Sequence, residues 1–272
     1  MRTVVYLRRA AVAASIVWGS VAPAQAQFRP PADPATGETF HVEATFAYWN
    51  PQPELVVSSE SLGIPGTDVD LVNDLGIEQK RQPEIRLVLR PARKHKFRFA
   101  YLPIKYEAEA VLQREFVFNG QRYRVGLPVI TTADLTTYRF GYEYDFIARD
   151  RGYAGVLLDL KYTDVSIQLD SPIGAEFTNQ VAPIPTIGFV GRGYVTTNIA
   201  IGGEVNFFKI PENLSDQYQG RYMDYDFYSV VNFTNNFGAQ VGYRSIDVSY
   251  AVDLDSGNLK FKGWYYGGIV RF

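Results

Sequence analysis

His41 and His95 are the only histidines in the 272-residue chain, and it contains no cysteine. Those two facts remove most nucleophilic and metal chemistry. Without a thiol there is no disulfide scaffold, no cysteine-ligated metal or cluster, no thiol nucleophile and no lipid-modified N-terminal cysteine. A catalytic metal site built on two or three imidazoles has too few to draw on. A Ser–His–Asp site needs its base beside its nucleophile, so that reading depends on where the two histidines fall. Asp68 and Asp70, and again Asp253 and Asp255, place carboxylates two residues apart, as a hard cation such as Ca²⁺ prefers. The second pair sits in Asp-Leu-Asp-Ser-Gly-Asn, which reads more simply as a turn. No Lys/Arg stripe is present and the formal net charge is −2, so a nucleic-acid partner is not expected. No motif in the chain calls for a cofactor.

The elements that position these residues begin after residue 26. Residues 1–26 carry Arg2, Arg8 and Arg9, then an apolar run from Ala10, then Ala24-Gln25-Ala26. This is the pattern of a cleaved secretory signal peptide, and its apolar run falls short of the ~20 residues a spanning helix needs. Residues 27–38 are Pro-rich and aperiodic and read as a flexible lead. Residues 39–272 read as one domain in which polar and apolar residues alternate.

Aromatic content is 15%, and the aromatic residues fall largely on one side of each segment. In TTYRFGYEYDF, Tyr138, Phe140, Tyr142, Tyr144 and Phe146 oppose Thr137, Arg139, Gly141, Glu143 and Asp145. The first segment places Phe40, Val42, Ala44, Phe46 and Tyr48 on one face. Period two of this kind marks strands, not helices. Segments apolar on one face and charged on the other suit the wall of a membrane-spanning barrel, where the closed sheet leaves no backbone group unpaired in lipid. The alternation predicts ten strands, at 39–49, 83–91, 95–112, 134–148, 153–169, 184–195, 198–209, 221–233, 237–251 and 258–272. The expected fold is therefore an all-β, antiparallel, up-and-down transmembrane barrel of about ten strands, with eight as the alternative.

Connector lengths agree with this. The turns after even strands are short, at 92–94, 149–152, 196–197 and 234–236. Those after odd strands are longer, at 50–82, 113–133, 170–183, 210–220 and 252–257. Outer-membrane barrels have short periplasmic turns and longer outer loops. Asn119-Gly120 marks a type I′ hairpin within the second outer loop, extending strands three and four as a ribbon. The first outer loop ends in a stretch suited to a short helix. The apolar phase shifts by one residue near Leu102 and Pro103 and again near Asp164, where bulges are expected. Trp49 and Trp264 are expected in interfacial aromatic girdles.

The chain ends in WYYGGIVRF, with Trp264, Tyr266, Val270 and Phe272 on one face. This resembles the C-terminal assembly signal of bacterial outer-membrane proteins, and with the leader the chain looks like a small barrel of the OmpA/OmpW general type. The resemblance implies residence in the outer membrane after export. It also implies contact with its lipid and lipopolysaccharide, and handling by periplasmic chaperones and the barrel-assembly machinery. In this topology His41 starts strand one and His95 lies in the first periplasmic turn, both far from any outer-rim hydrolase site.

Charges expected in the lumen are Arg86, Arg90, Arg98, Lys105, Glu107, Glu109, Arg139, Glu143, Asp145, Asp159, Lys161, Arg192, Glu204, Asp224, Asp226 and Arg244. Both signs alternate between neighbouring strands, which favours a salt-bridged plug over a selectivity path. Ten strands enclose little more than side chains can fill. The function expected is thus a structural or surface-interaction barrel. A narrow channel or transporter for small apolar solutes is the alternative, and a surface hydrolase of lipid or peptide the third reading.

Overall fold

The computed structural model describes residues 35–61, 64–210, 218–252 and 255–272. The signal peptide, residues 27–34 and Asp253 lie outside the described residues. Strands β1 (Val42–Trp49) and β2 (Gln52–Ser59) run in one line, broken at Asn50 and Pro51, and both pair with the last strand. After the two-residue β3 (Val69–Asp70) come β4 (Gln82–Ala92) and β5 (His95–Val111), then the short β6 (Phe116–Phe118) and β7 (Gln121–Tyr123). The remaining strands are β8 (Pro128–Arg149), β9 (Gly152–Ser171), β10 (Gly174–Tyr194), β11 (Ile199–Lys209), β12 (Tyr218–Asn232), β13 (Phe237–Val252) and β14 (Asp255–Arg271).

Each long strand is antiparallel to its neighbours in the order β1, β4, β5, β8 through β14, and β1 pairs with β14 from Glu43↔Arg271 to Trp49↔Tyr265. With β2 counted as the upper part of β1, the wall has ten staves and no open edge where it closes. No helix occurs among the described residues, and the stretch after β3 is a single turn instead of the expected helix.

The expected register breaks are absent. β5 pairs with β8 residue for residue from His95↔Tyr144 to Val111↔Pro128, straight through Leu102 and Pro103. β9 pairs with β10 without a slip through Asp164. What changes at these points is the surroundings of the wall. On one side of the level defined by Leu102↔Thr137 and Thr137↔Thr163, outward residues are apolar and inward ones charged. Phe97, Phe140, Leu158 and Phe189 are exposed there, while Lys96, Arg139, Asp159 and Lys161 are buried. On the other side Leu102, Ile104, Tyr106, Ile167 and Leu169 turn inward and Lys105, Glu107 and Glu109 face out. An unbroken strand crossing out of a hydrophobic band produces the same phase shift in sequence as a bulge. The bulges that do occur lie at the short-turn end, between Leu89 and Ala92 and between Asp145 and Ile147.

The exposed apolar band is capped at the change of level by Tyr101, Tyr138, Tyr162, Trp264 and Tyr266, and ends at the short turns with Tyr144, Phe233, Phe237 and Phe272. This is the banded exterior of a transmembrane barrel. Trp49 is not part of it. It is fully buried inside, with its indole N–H donating to Gly263 O at 3.1 Å. Phe40 also turns inward, beneath Arg90 and Arg271, at the short-turn end.

The strands are longer than expected. β9 and β10 meet across Pro172 and Ile173, so residues 170–183 are mostly strand, and β13 and β14 likewise absorb most of 252–257. Between Asp170 and Pro183 the only large hydrophobic residues are Ile173, Phe177 and Val181, all exposed, so alternation carries little signal there. Asn119 (φ 49°) and Gly120 (φ 78°) form the expected turn, as two successive positive φ values require. Their hairpin does not prolong β5 and β8. It is a separate two-stranded sheet whose Phe116, Phe118 and Tyr123 are buried.

Candidate functional site

The lumen consists of two layers. Within the apolar band, Glu43, Glu84, Glu143, Asp145, Asp159, Glu204, Asp224 and Asp226 face Arg86, Lys96, Arg98, Arg139, Lys161, Arg192, Arg244 and Arg271. The signs balance, which a buried layer requires because an unpaired charge is costly to remove from water. Several wall neighbours have like charge, including Arg139↔Lys161 and Glu204↔Asp226. Such neighbours are relieved by bonds that cross the lumen. Arg86 of β4 reaches Asp226 of β12 at 2.7 Å, and Arg98 of β5 reaches Glu204 of β11 at 2.7 Å. Arg244 of β13 reaches Glu84 of β4 at 2.6 Å, and Arg192 of β10 reaches Glu43 of β1 at 3.1 Å. Each bond is a strut across the bore, and together they fill it.

Local pairs complete the layer. Arg139 holds Asp159 at 2.6 Å and Glu204 at 2.5 Å, and Lys161 holds Asp224 at 3.0 Å. Lys96 lies between Glu143 (2.6 Å) and Asp145 (2.9 Å) and 3.1 Å from the Tyr153 ring centroid. Tyr265 donates to Asp226 at 2.8 Å. Two of the inward tyrosines lie flat on the glycine directly across the sheet. A Cβ on Gly202 would stand 2.5 Å from the Tyr228 ring, and one on Gly242 2.5 Å from that of Tyr265. A void of about 30 Å³ among Glu43, Arg98, Arg139, Arg192 and Tyr228 has room for a water or two and no solute.

Above this layer lies a dry core. Leu55, Val57, Leu102, Ile104, Tyr106, Ile167, Ile246, Leu259 and Phe261 of the wall meet Val69, Leu71, Leu75 and Ile77 of the first loop and the β6–β7 hairpin in one continuous cluster. The first loop thus closes the gap left where β4 stops at Gln82 while β2 and β5 continue. Asp70 accepts from the Val72 and Asn73 N–H groups at 3.0 Å each and from Asn73 Nδ2 at 2.6 Å. Asp74 accepts from Arg114 Nε at 2.7 Å. The hydrogen bond from Arg114 holds the Asp74 carboxyl below its usual range. The oxygens of Asp70 therefore organise a turn. Asp255 accepts from Thr178 (2.8 Å) and Gln180 (3.0 Å).

The short-turn end is also covered. Residues 35–41 cross the mouth and bond to turns around it. Thr36 N donates to Thr197 O at 2.7 Å, Gly37 N to Asn235 Oδ1 at 3.0 Å, and Arg90 Nη1 to Glu38 O at 2.7 Å. Thr36, Gly37 and Glu38, at the end of the stretch whose composition reads as a flexible lead, are thus hydrogen-bonded to these turns and to Arg90.

Arg86, Arg98, Arg139, Glu143, Asp145, Asp159, Lys161, Arg192, Glu204, Asp224, Asp226 and Arg244 all lie in the charged layer. Lys105, Glu107 and Glu109 do not. The unbroken register of β5 turns them outward above the band, where Lys105 pairs with Asp134 at 3.1 Å. Arg90 sits below the layer, at the mouth. Glu43, Glu84, Lys96 and Arg271 are members that sequence reasoning passed over, although strand parity alone puts each beside an expected lumen residue. Trp264, Tyr266 and Phe272 are exposed on the outer wall, and the Phe272 carbonyl accepts from His41 N (2.7 Å) and Val42 N (3.0 Å) where the barrel closes. His41 and His95 stand at the short-turn end, and His95 Nδ1 lies 2.6 Å from Tyr142 OH. With no other histidine in the sequence, none can serve a site at the long-loop end.

No protein-family model and no curated protein matches the chain. Solved structures do. The outer membrane protease OmpT of Escherichia coli aligns over 85% of this chain and 96% of its own, with 10% identity and a TM-score of 0.60. The translocator domain of the autotransporter NalP of Neisseria meningitidis aligns over 85% and 89%, with 8% identity and a TM-score of 0.45. Ail, the attachment invasion locus protein of Yersinia pestis, aligns over 85% and 99%, with 10% identity and a TM-score of 0.36. At 10% identity the likeness to OmpT is one of fold, that of a bacterial outer-membrane β-barrel.

Proposed function

We propose that the chain is a sealed barrel of the outer membrane, whose work is done by the surface it presents at its long-loop end and not by transport through its bore. The observation that carries this reading is the set of struts across the lumen, above all Arg86–Asp226, Arg98–Glu204, Arg192–Glu43 and Arg244–Glu84. A solute passing along the axis must break several buried ion pairs at once, and each broken pair leaves a desolvated charge behind. It must then part an apolar core and displace residues 35–41. The outward Phe and Leu band with aromatic rims supports seating in a bilayer, and the short-turn end then faces the periplasm.

A conduit for small solutes requires a continuous path, and the two layers oppose one. A hydrolase at the outer rim requires an acid–base pair there, and both histidines lie at the opposite end. The test is solute uptake by liposomes containing the folded protein. Swelling in a small sugar, and release of an entrapped small aromatic solute, should match protein-free liposomes. Faster exchange of either would replace the sealed barrel with a channel.

A further inference from the structure

Beyond the aromatic rim the barrel wall stands in water, where outward positions should be polar. On β14 they are: past Trp264 the strand turns out Lys262, Lys260, Asn258 and Ser256. On the far side of the barrel they are not. Val111 of β5 and Ile130 of β8 are 54% and 47% exposed, and Phe177 of β10 is 66% exposed. Val111 lies directly across from Pro128, with Ile130 diagonal to it. Together with Pro172 these three line a hollow of about 610 Å³ in the outer face of the wall. Apolar groups gathered at a water-facing surface mark a place where something docks.

The same sector is acidic. Across β5, β8 and β9 the charged outward residues are Lys105, Glu107, Glu109, Asp134, Asp164 and Asp170. Lys105 is the only cation of this set and is held by Asp134 at 3.1 Å. Glu107 and Glu109 make no ion pair among the described residues, and Asp170 accepts from the neutral Gln168 at 2.9 and 3.0 Å. Glu109, Ile130 and Asp170 form one row across the sheet, a carboxylate on either side of the apolar residue. Those two carboxylates are two strands apart, roughly 10 Å at the usual spacing, and no cation lines the hollow between them. Like charges gathered without counter-ions contribute nothing to the fold, and a partner's cations relieve their repulsion.

From Tyr101 to Val111 and from Tyr138 to Ile130 the strands rise about 33 and 26 Å, at ~3.3 Å per residue. At the usual tilt of about 40° the hollow stands roughly 20–25 Å above the rim. That is well past the head-group layer, about 5–8 Å deep on each side of a bilayer, and the acidic charge repels phosphate-bearing lipid. Height and sign both point to a protein as the occupant. We propose that this face docks a basic polypeptide segment, with an apolar side chain entering the hollow over Ile130 while Lys or Arg on either side of it meet Glu109 and Asp170. This rests on the reading of the long-loop end as the working surface, and it names the chemistry of the partner that surface takes.

The test uses the full folded protein in neutral detergent and a short fluorescent peptide with Phe set between lysines, titrated by anisotropy against protein-free micelles. The peptide should bind, and more salt should weaken it. Glu107→Gln, Glu109→Gln and Asp170→Asn together remove three exposed charges and should weaken binding about tenfold. Val111→Ser with Ile130→Ser should weaken binding of the Phe peptide and leave that of a peptide with Ser in place of Phe unchanged. Glu54→Gln with Asp247→Asn, carboxylates on the far side, should change nothing. If the triple variant gives no folded band, Glu109→Gln alone is titrated, with about a twofold loss expected. Unchanged affinity in the carboxylate variants, an equal loss in the far-side control, or equal binding of a peptide with Glu in place of Lys overturns the proposal. So does a wild-type dimer that these variants dissociate, which would give the face to a second copy of the chain. A conducting barrel would sink the sealed-barrel reading, whereas a silent barrel that ignores the peptide sinks only this docking face.

Discussion

Glu43 offers the sharpest test of the charged layer, because one carboxylate there serves two buried cations. It accepts from Arg192 Nη1 (3.2 Å) and Nη2 (3.1 Å) and from Arg271 Nε (2.6 Å). Neither arginine makes an ion pair with another carboxylate among the described residues, and both are buried. Glu43→Gln preserves volume and removes only charge. Removing one member of a buried pair costs about 3–5 kcal/mol. The amide oxygen still accepts one hydrogen bond, which offsets about 1 kcal/mol, while the second stranded guanidinium adds to the cost. A net loss of about 3–5 kcal/mol is therefore expected. By contrast, Lys105→Gln breaks a pair that is 62% exposed on the lysine side, and should cost about 0–1 kcal/mol. The assay is urea unfolding in lipid vesicles, read in parallel by heat-dependent gel migration and tryptophan fluorescence. Adding Arg192→Met and Arg271→Met to Glu43→Gln should recover much of the loss, because it removes the stranded charges. A Glu43→Gln barrel as stable as Lys105→Gln would refute the reasoning that this layer is desolvated and mutually dependent.

Other consequences are equally direct. Gly242→Ala should push the Tyr265 ring off the wall and break its bond to Asp226, costing about 1–3 kcal/mol in the same unfolding assay, while Gly268→Ala is the control for a glycine with open space beside it and no positive φ. The Asp74–Arg114 clamp should respond to acid. Its folded-state carboxyl lies below the ordinary value, so its contribution is present at neutral pH and is lost as pH falls through the depressed range, below about 4. Protease cutting within residues 60–81 should rise there, and Asp74→Asn should give the same susceptibility at neutral pH. Deleting Phe272 removes the backbone bonds to His41 and Val42 at the seam. It should lower folded yield more than Phe272→Leu, as scored by the fraction of heat-modifiable protein.

The strand order and the ten staves were legible because a lipid-facing wall enforces alternation over a full span, as in Tyr138 to Tyr144. The same signal misled at Leu102 and Asp164. Apolar residues change face there because the surroundings of the barrel change from lipid to water while the backbone continues unbroken. That exchange put Glu107 on the wrong face and suggested bulges that do not exist. The tip of the β9–β10 ribbon, residues 170–183, was read as loop because its few large apolar residues, Ile173, Phe177 and Val181, are scattered and exposed and no period survives. Which residues face the lumen followed from parity, and the same parity, applied to the alternation around Glu43 and to Val270 and Phe272 around Arg271, places these two inside as well. The pairing of Arg192 with Glu43 is not legible locally at all. It joins opposite staves, and the choice of partner is made only when β1 meets β14.

The account stands most directly on the bore being sealed. The decisive measurement is single-channel recording of the folded wild-type protein in a planar bilayer at neutral pH, over both voltage polarities. The struts, the dry core and residues 35–41 predict a silent membrane with no discrete conductance. Reproducible discrete openings that scale with the amount of folded protein would contradict it.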